Sequence, residues 1–140
     1  MSVLPDDWAL PALNARNEQW FTSGSIAVQR CIACSTRQHP PEEICHRCGA
    51  SAFDHDVLAP TGTVFSYTVA HYAVNRALAD SVPYAVVLVS LDEDPAVRVV
   101  GNLPGVPCDA IRIGMEVEAY WEERTAEDGA VIRLPQWRVR

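Results

Sequence analysis

Lysine is missing from this 140-residue chain: all eleven of its basic residues are arginines. That absence excludes a side-chain Schiff base formed by the polypeptide itself. It also excludes a phosphate-binding loop of the Walker type, which needs its lysine. No apolar run approaches the roughly 18 residues that a membrane-spanning helix requires. Met1 to Asp7 carries neither the basic start nor the apolar core of a secretory signal. Positive charge is scarce, and the net charge is -7. An acidic balance argues against nonspecific nucleic-acid binding, which depends on a basic surface to release counterions. Recognisable catalytic patterns are also lacking, with no nucleophile elbow and no HExxH. His71 beside Tyr72 reads as a surface or packing residue. Glu122 and Glu123, as strand neighbours, would point to opposite faces and make a poor acid–base pair. These exclusions leave a soluble, cytoplasmic protein of one domain, or one domain with an appendage, as the expectation.

What is present is cysteine in matched pairs. Cys31-Ile-Ala-Cys34 and Cys45-His-Arg-Cys48 are two CxxC knuckles, and ten residues separate Cys34 from Cys45. Thiolates bind soft or borderline metals, and two such knuckles can enclose one ion tetrahedrally. The spacing reads as a rubredoxin-like zinc ribbon. A closed four-sulfur site has no position for water or substrate, so the metal is expected to be structural. Iron would suit four sulfurs as well as zinc. Two disulfides would need an oxidising compartment, and a redox CxxC would need only one pair in a strand–helix setting. His39 and His46 are expected to be exposed loop residues rather than ligands. Cys108 reads as a small half-buried apolar residue.

Around the knuckles the chain divides into three. Residues 1–24 read as a helical arm, with Pro11 in the first turn, Leu13, Asn17, Trp20 and Phe21 along one face, and Gly24 as the stop. Its aromatics Trp8, Trp20 and Phe21 either pack on the chain's own body or dock onto a partner. Residues 25–56 form the metal module, with a strand over 26–30 and Asp54, His55 and Asp56 in a solvated loop. Residues 57–140 read as short strands. Phe65, Tyr67 and Val69 would share a face, and Tyr84 to Leu91 reads as a strand buried on both sides. Val97 to Leu103 returns, then Val117, Ala119 and Trp121 alternate with Glu118, Tyr120 and Glu122. Asp128-Gly129 marks a hairpin, and Pro135 places the last strand at an edge or at its end. The fold class is mainly β: an N-terminal helix, a zinc ribbon, then five strands as an OB-fold barrel or an open sheet.

In this order the motifs resemble a known family. They run from Gln19-Trp20-Phe21 through Val28-Gln29-Arg30-Cys31, His39-Pro40-Pro41 and Ile44-Cys45-His46-Arg47-Cys48-Gly49. They continue with Gly62-Thr63-Val64-Phe65-Ser66-Tyr67, Pro83-Tyr84-Ala85-Val86, Arg98-Val99-Val100-Gly101-Asn102 and Ile113-Gly114-Met115. The family is that of the acyl-CoA-associated zinc-ribbon and OB-fold proteins, formerly catalogued as a domain of unknown function. Two positions depart from its pattern: Ser35 stands where a glycine usually follows the second cysteine, and Glu42 where an arginine often follows the paired prolines. The resemblance implies an accessory subunit of an acyl-CoA-processing complex. Its partner would be a thiolase-like retro-aldolase acting on steroid side chains, or a hot-dog-fold enoyl-CoA hydratase, and the partner would carry the catalytic residues. An acyl-CoA would be shared with that partner, and Arg76 and Arg98 are the candidates for its phosphates. A nucleic-acid-binding OB-fold, with Phe65, Tyr67 and Tyr72 stacking bases, is the competing reading.

Overall fold

Alternating and β-branched segments form eight antiparallel strands in a computed structural model that describes residues 3–140. One short helix, α1 (Glu18–Thr22), precedes them. The ribbon sheet contains β1 (Ile26–Cys31), β2 (Arg37–Gln38) and β3 (Phe53–Leu58), in the order β2-β1-β3. The second sheet contains β4 (Thr61–Ala70), β5 (Tyr84–Leu91), β6 (Arg98–Asn102), β7 (Glu116–Thr125) and β8 (Val131–Val139). Its order is β6-β5-β4-β7-β8. Strands β6 and β8 meet at the seam through side chains instead of a ladder. The Asn102 N–H donates to Gln136 Oε1 at 2.6 Å, and Gln136 Nε2 donates back to Asn102 Oδ1 at 3.1 Å. The result is the partly open, five-stranded OB-fold barrel.

The helical arm is shorter than its apolar spacing suggests. Pro11 and Leu13 lie outside any helix. Asn14 and Asn17 take the backbone into a turn first: Asn14 Oδ1 accepts from the Arg16 and Asn17 N–H groups, and Asn17 Oδ1 accepts from the Asn14 N–H. Such local side-chain bonds compete with helix and delay its start. Gly24, at φ +65°, ends the segment as expected.

Four strand readings also change. Asp54, His55 and Asp56 lie within β3, paired with β1, and not in a solvated loop. A bulge between Val64 and Ser66 removes Phe65 from the face it was expected to share with Tyr67 and Val69. Phe65 instead lies under the Arg98 guanidinium, 3.9 Å from its ring centroid. Strand β5 is buried on one side only; alternate residues from Tyr84 to Ser90 are half-buried. On β7 the two-residue alternation breaks near the hairpin, where Glu122 is buried and Trp121 half-buried. The last strand passes through Pro135 to Val139. It does so at the sheet edge, where a missing N–H is tolerated.

One continuous core joins the two sheets. Ile26, Val28 and Leu58 of the ribbon pack in the same cluster as Val64, Val87, Val99, Val117 and Trp137 of the barrel. Gly62 is needed where β4 meets β5, because a Cβ there would lie 2.7 Å from Val89 Cγ1 and press on the Ser90 carbonyl. Replacing Gly62 with alanine is expected to destabilise the protein by about 1–3 kcal/mol in chemical denaturation. An unchanged unfolding midpoint would show that the backbone there has room to move.

Candidate metal centre and adjoining cleft

Both knuckles are built by the same local turn. The Ser35 N–H donates to the Cys31 carbonyl at 2.8 Å, and the Gly49 N–H to the Cys45 carbonyl at 2.9 Å. Next, the Cys31 N–H donates to the Thr36 carbonyl and the Cys45 N–H to that of Ala50. The residue after each second cysteine is left-handed, with φ +64° at Ser35 and +78° at Gly49. Glycine adopts that conformation freely, and serine does so at a cost of roughly 1–2 kcal/mol.

The turns face each other and bring the sulfurs of Cys31, Cys34, Cys45 and Cys48 within 4.8 Å of one another. Cys31 Sγ lies 3.6 Å from Cys48 Sγ, and Cys34 Sγ lies 3.7 Å from Cys45 Sγ. A tetrahedral ion with metal–sulfur bonds of about 2.3 Å needs sulfurs about 3.8 Å apart, so the four fit zinc. All five cysteines are free thiols. Hydrogen bonds with Thr36 pull the Cys34 thiol down to about 6. Backbone N–H groups of Cys48 and Arg47 lower Cys45. The Ala50 N–H lowers Cys48 too, but the adjacent sulfurs, Cys31 first, and desolvation outweigh it and raise that thiol to about 11. Four neighbouring thiols do not all ionise unless a cation compensates them, and a divalent metal supplies that charge.

The histidines part company. His46 is exposed, as expected, and its Nδ1 meets Gln38 Oε1 at 2.8 Å. His39 is not an exposed loop residue. Its ring lies 4.2 Å from that of Trp20, its Nδ1 is buried without a hydrogen-bond partner, and desolvation lowers its pKa to about 4. The pair forms one wall of a cleft of about 770 Å³ between the ribbon and the outer side of the barrel. Phe21, Pro40 and Pro41 extend that wall, while Leu88, Val100 and Pro135 stand opposite. Arg98 lines the cleft, and Arg76 sits apart on a single 3-10 turn between β4 and β5. The two arginines are therefore not joined in one site. Nor is Trp20 free for a partner: it is only 7% exposed and belongs to the chain's own core, with Phe21 packed against that core. Trp8 is half-buried. Arg37 links Asp56 at 2.9 Å to Asp94 of the β5–β6 turn at 3.1 Å. The Arg37 hydrogen bond holds the Asp56 carboxyl below the usual carboxylate range.

Comparison with known proteins agrees with this architecture in both parts. Residues 22–54 match the model of the ChsH2 rubredoxin-like zinc ribbon domain, and residues 56–122 that of the ChsH2 C-terminal OB-fold domain. A solved chain of an Ltp2-ChsH2(DUF35) aldolase is 40% identical, with a TM-score of 0.76; the match covers 93% of this chain and 98% of that one. The chain belongs to the ChsH2 (DUF35) family. Two curated relatives are larger. A probable enoyl-CoA hydratase alpha subunit of Thermomonospora curvata is 40% identical over 91% of this chain and 39% of its own length. The 3-oxo-4,17-pregnadiene-20-carboxyl-CoA hydratase alpha subunit of Mycobacterium tuberculosis is 30% identical over 99% of this chain and 42% of its own. The chain thus spans about two fifths of the curated relatives it matches. In this ChsH2-family chain the four cysteines form a zinc-ribbon site, and zinc there has a structural role. Among the described residues no helix is long and apolar enough to cross a membrane.

Sequence reasoning missed His39 as a packed residue, although two prolines after it signal a fixed backbone. Three outcomes follow from this geometry. Cys34→Ser is expected to abolish stoichiometric zinc and melt the ribbon, because much of a binding energy on the order of 10 kcal/mol is lost; metal analysis and thermal melting check it. Ser35→Gly should raise stability by about 0.5–1 kcal/mol by relieving the left-handed serine, net of glycine's larger unfolded-state entropy. His39 has a folded pKa below its ordinary 6.5. Its neutral form stabilises the fold above that value, and the stabilisation is lost as pH falls from about 6.5 to about 4. Relative to His39→Phe, which shares any acid loss of zinc, wild type should lose roughly 2–3 kcal/mol over that window; parallel stability curves would refute this.

Proposed function

We propose that this chain is an accessory subunit of an acyl-CoA-processing complex, paired with a thiolase-like retro-aldolase that shortens steroid side chains. The observation that carries this reading is the match to the ChsH2(DUF35) chain of an aldolase, at 40% identity over nearly the whole of both chains. The chemistry of the molecule supports it. The metal site is a closed set of four thiolates, suited to holding a loop and unsuited to activating water. The cleft has predominantly apolar walls, as expected of a site that holds part of an organic ligand.

In this assembly the partner performs bond cleavage, and the chain supplies a rigid wall and a cation. Arg98 is the better placed of the two candidate phosphate contacts, since it lines the cleft with its guanidinium held over Phe65. Arg76 is assigned no phosphate contact. The partner surface is assigned to exposed apolar side chains in place of the buried Trp20. Tyr72 and Val74, at 82% and 83% exposure after β4, are the foremost of these. A second reading, a hydratase complex, is favoured by the names of the two longer relatives, both alpha subunits of hydratases.

Co-expression with a thiolase-fold aldolase subunit tests the first reading. The two chains are expected to co-purify at micromolar concentration, with aldol cleavage of a steroid acyl-CoA only when both are present. Separate migration, or turnover by the isolated chain, would sink it. Co-purification with a hydratase partner subunit instead would establish the second.

A further inference from the structure

Two buried glutamines hold the loop that delivers the second pair of metal ligands. Gln29 on β1 and Gln38 at the end of β2 are 3% and 7% exposed and stand opposite each other in the ladder. Gln38 Nε2 donates to Gln29 Oε1 at 2.7 Å. Both amides then reach across to residues 42–46, which belong to no strand. Gln29 Nε2 donates to the Glu42 carbonyl at 2.9 Å, and Gln29 Oε1 accepts from the Glu42 N–H at 3.0 Å. Gln38 Nε2 also donates to the Ile44 carbonyl at 3.2 Å, and Gln38 Oε1 accepts from the His46 N–H at 3.0 Å.

Chemistry fixes the orientation of this network. A backbone N–H only donates, so Glu42 and His46 decide which end of each amide is oxygen. With the Gln38 oxygen 2.8 Å from His46 Nδ1, that ring nitrogen must carry the hydrogen. Burying two amides is unfavourable unless their bonds are made, and here each oxygen and each nitrogen has a partner. Only the backbone of residue 42 takes part, so the network does not depend on the side chain there. The held segment runs directly into Cys45, and its two anchors are side chains of the sheet that carries Cys31.

We infer that Gln29, Gln38 and His46 are positioning residues for the metal: they preset the Cys45–Cys48 knuckle so that zinc meets ligands already at bonding separation. The cost of ordering the ten-residue loop is then met largely by the network, and release of zinc requires Cys45 to move against it. Partners that orient metal ligands from outside the coordination sphere typically change affinity by about 10–100-fold when removed.

Zinc competition and zinc transfer to a chromogenic chelator, measured on the full chain, test the inference. Gln38→Met keeps the volume and removes the bonds. It is expected to weaken zinc binding and speed transfer by about tenfold or more. His46→Ala leaves the backbone bond and is expected to speed transfer by about threefold. Zinc-saturated protein is expected to melt lower by no more than the lost zinc affinity requires, which separates positioning from general loss of stability. Zinc affinity and transfer within about twofold of wild type in Gln38→Met overturn the proposal. So does a fall in zinc-saturated melting larger than the lost affinity requires, which would mark a general loss of stability. If Gln38→Met does not fold, His46→Ala decides alone, and transfer at the wild-type rate overturns the proposal.

Discussion

A two-residue strand cannot organise a sheet, and the ribbon depends on that limit being overcome by four sulfurs around one ion. Strand β2 contributes only Arg37 and Gln38. The long connection from there to β3 has almost no ladder of its own. Metal coordination therefore does in this segment what hydrophobic burial does elsewhere. Its reach extends past the knuckles, because Cys31 ends β1 and β1 supplies Ile26 and Val28 to the shared core. A staple at one end of β1 thus fixes side chains that pack beneath the barrel.

The joint between ribbon and barrel is a shared core. The two sheets do not meet as separate bodies: Leu58, the last residue of β3, is buried in the same cluster as the barrel valines. Around that apolar contact lie polar ties of smaller individual weight, such as Arg37 to Asp94. Ion pairs of this exposure are worth about 0–1 kcal/mol each, so burial and not charge holds the joint. That shared core matters for the cleft, whose two walls belong to different modules. Trp20 and His39 stand on the arm and ribbon side, and Leu88 and Val100 on the barrel side.

Local chemistry was readable from residue order. The knuckles declared their ligands through spacing, and the Asp128-Gly129 hairpin and the edge position of Pro135 followed from backbone rules. Phe65 could not be placed correctly, because a bulge shifts faces through one unpaired residue and leaves no mark in the alternation. The arm helix was overextended because two asparagines captured backbone donors that a periodicity count ignores. Asp54 to Asp56 looked solvated, yet their strand is recruited by pairing with distant β1, and Arg30 of β1 and Arg37 of β2 take up the charge. Trp8, Trp20 and Phe21 posed a question that composition could not answer, since an aromatic is equally suited to an internal or an external surface.

The division has a physical cause. Residue order alone determined the metal ligands, the absence of lysine chemistry, the five strands of the barrel and the family pattern, because each depends on neighbours a few positions apart. Only the tertiary structure decided that Trp20 is core, that His39 packs against it, and that Gln29 and Gln38 grip a distant loop. Those properties arise from desolvation and from hydrogen bonds between segments that meet only after the chain has folded.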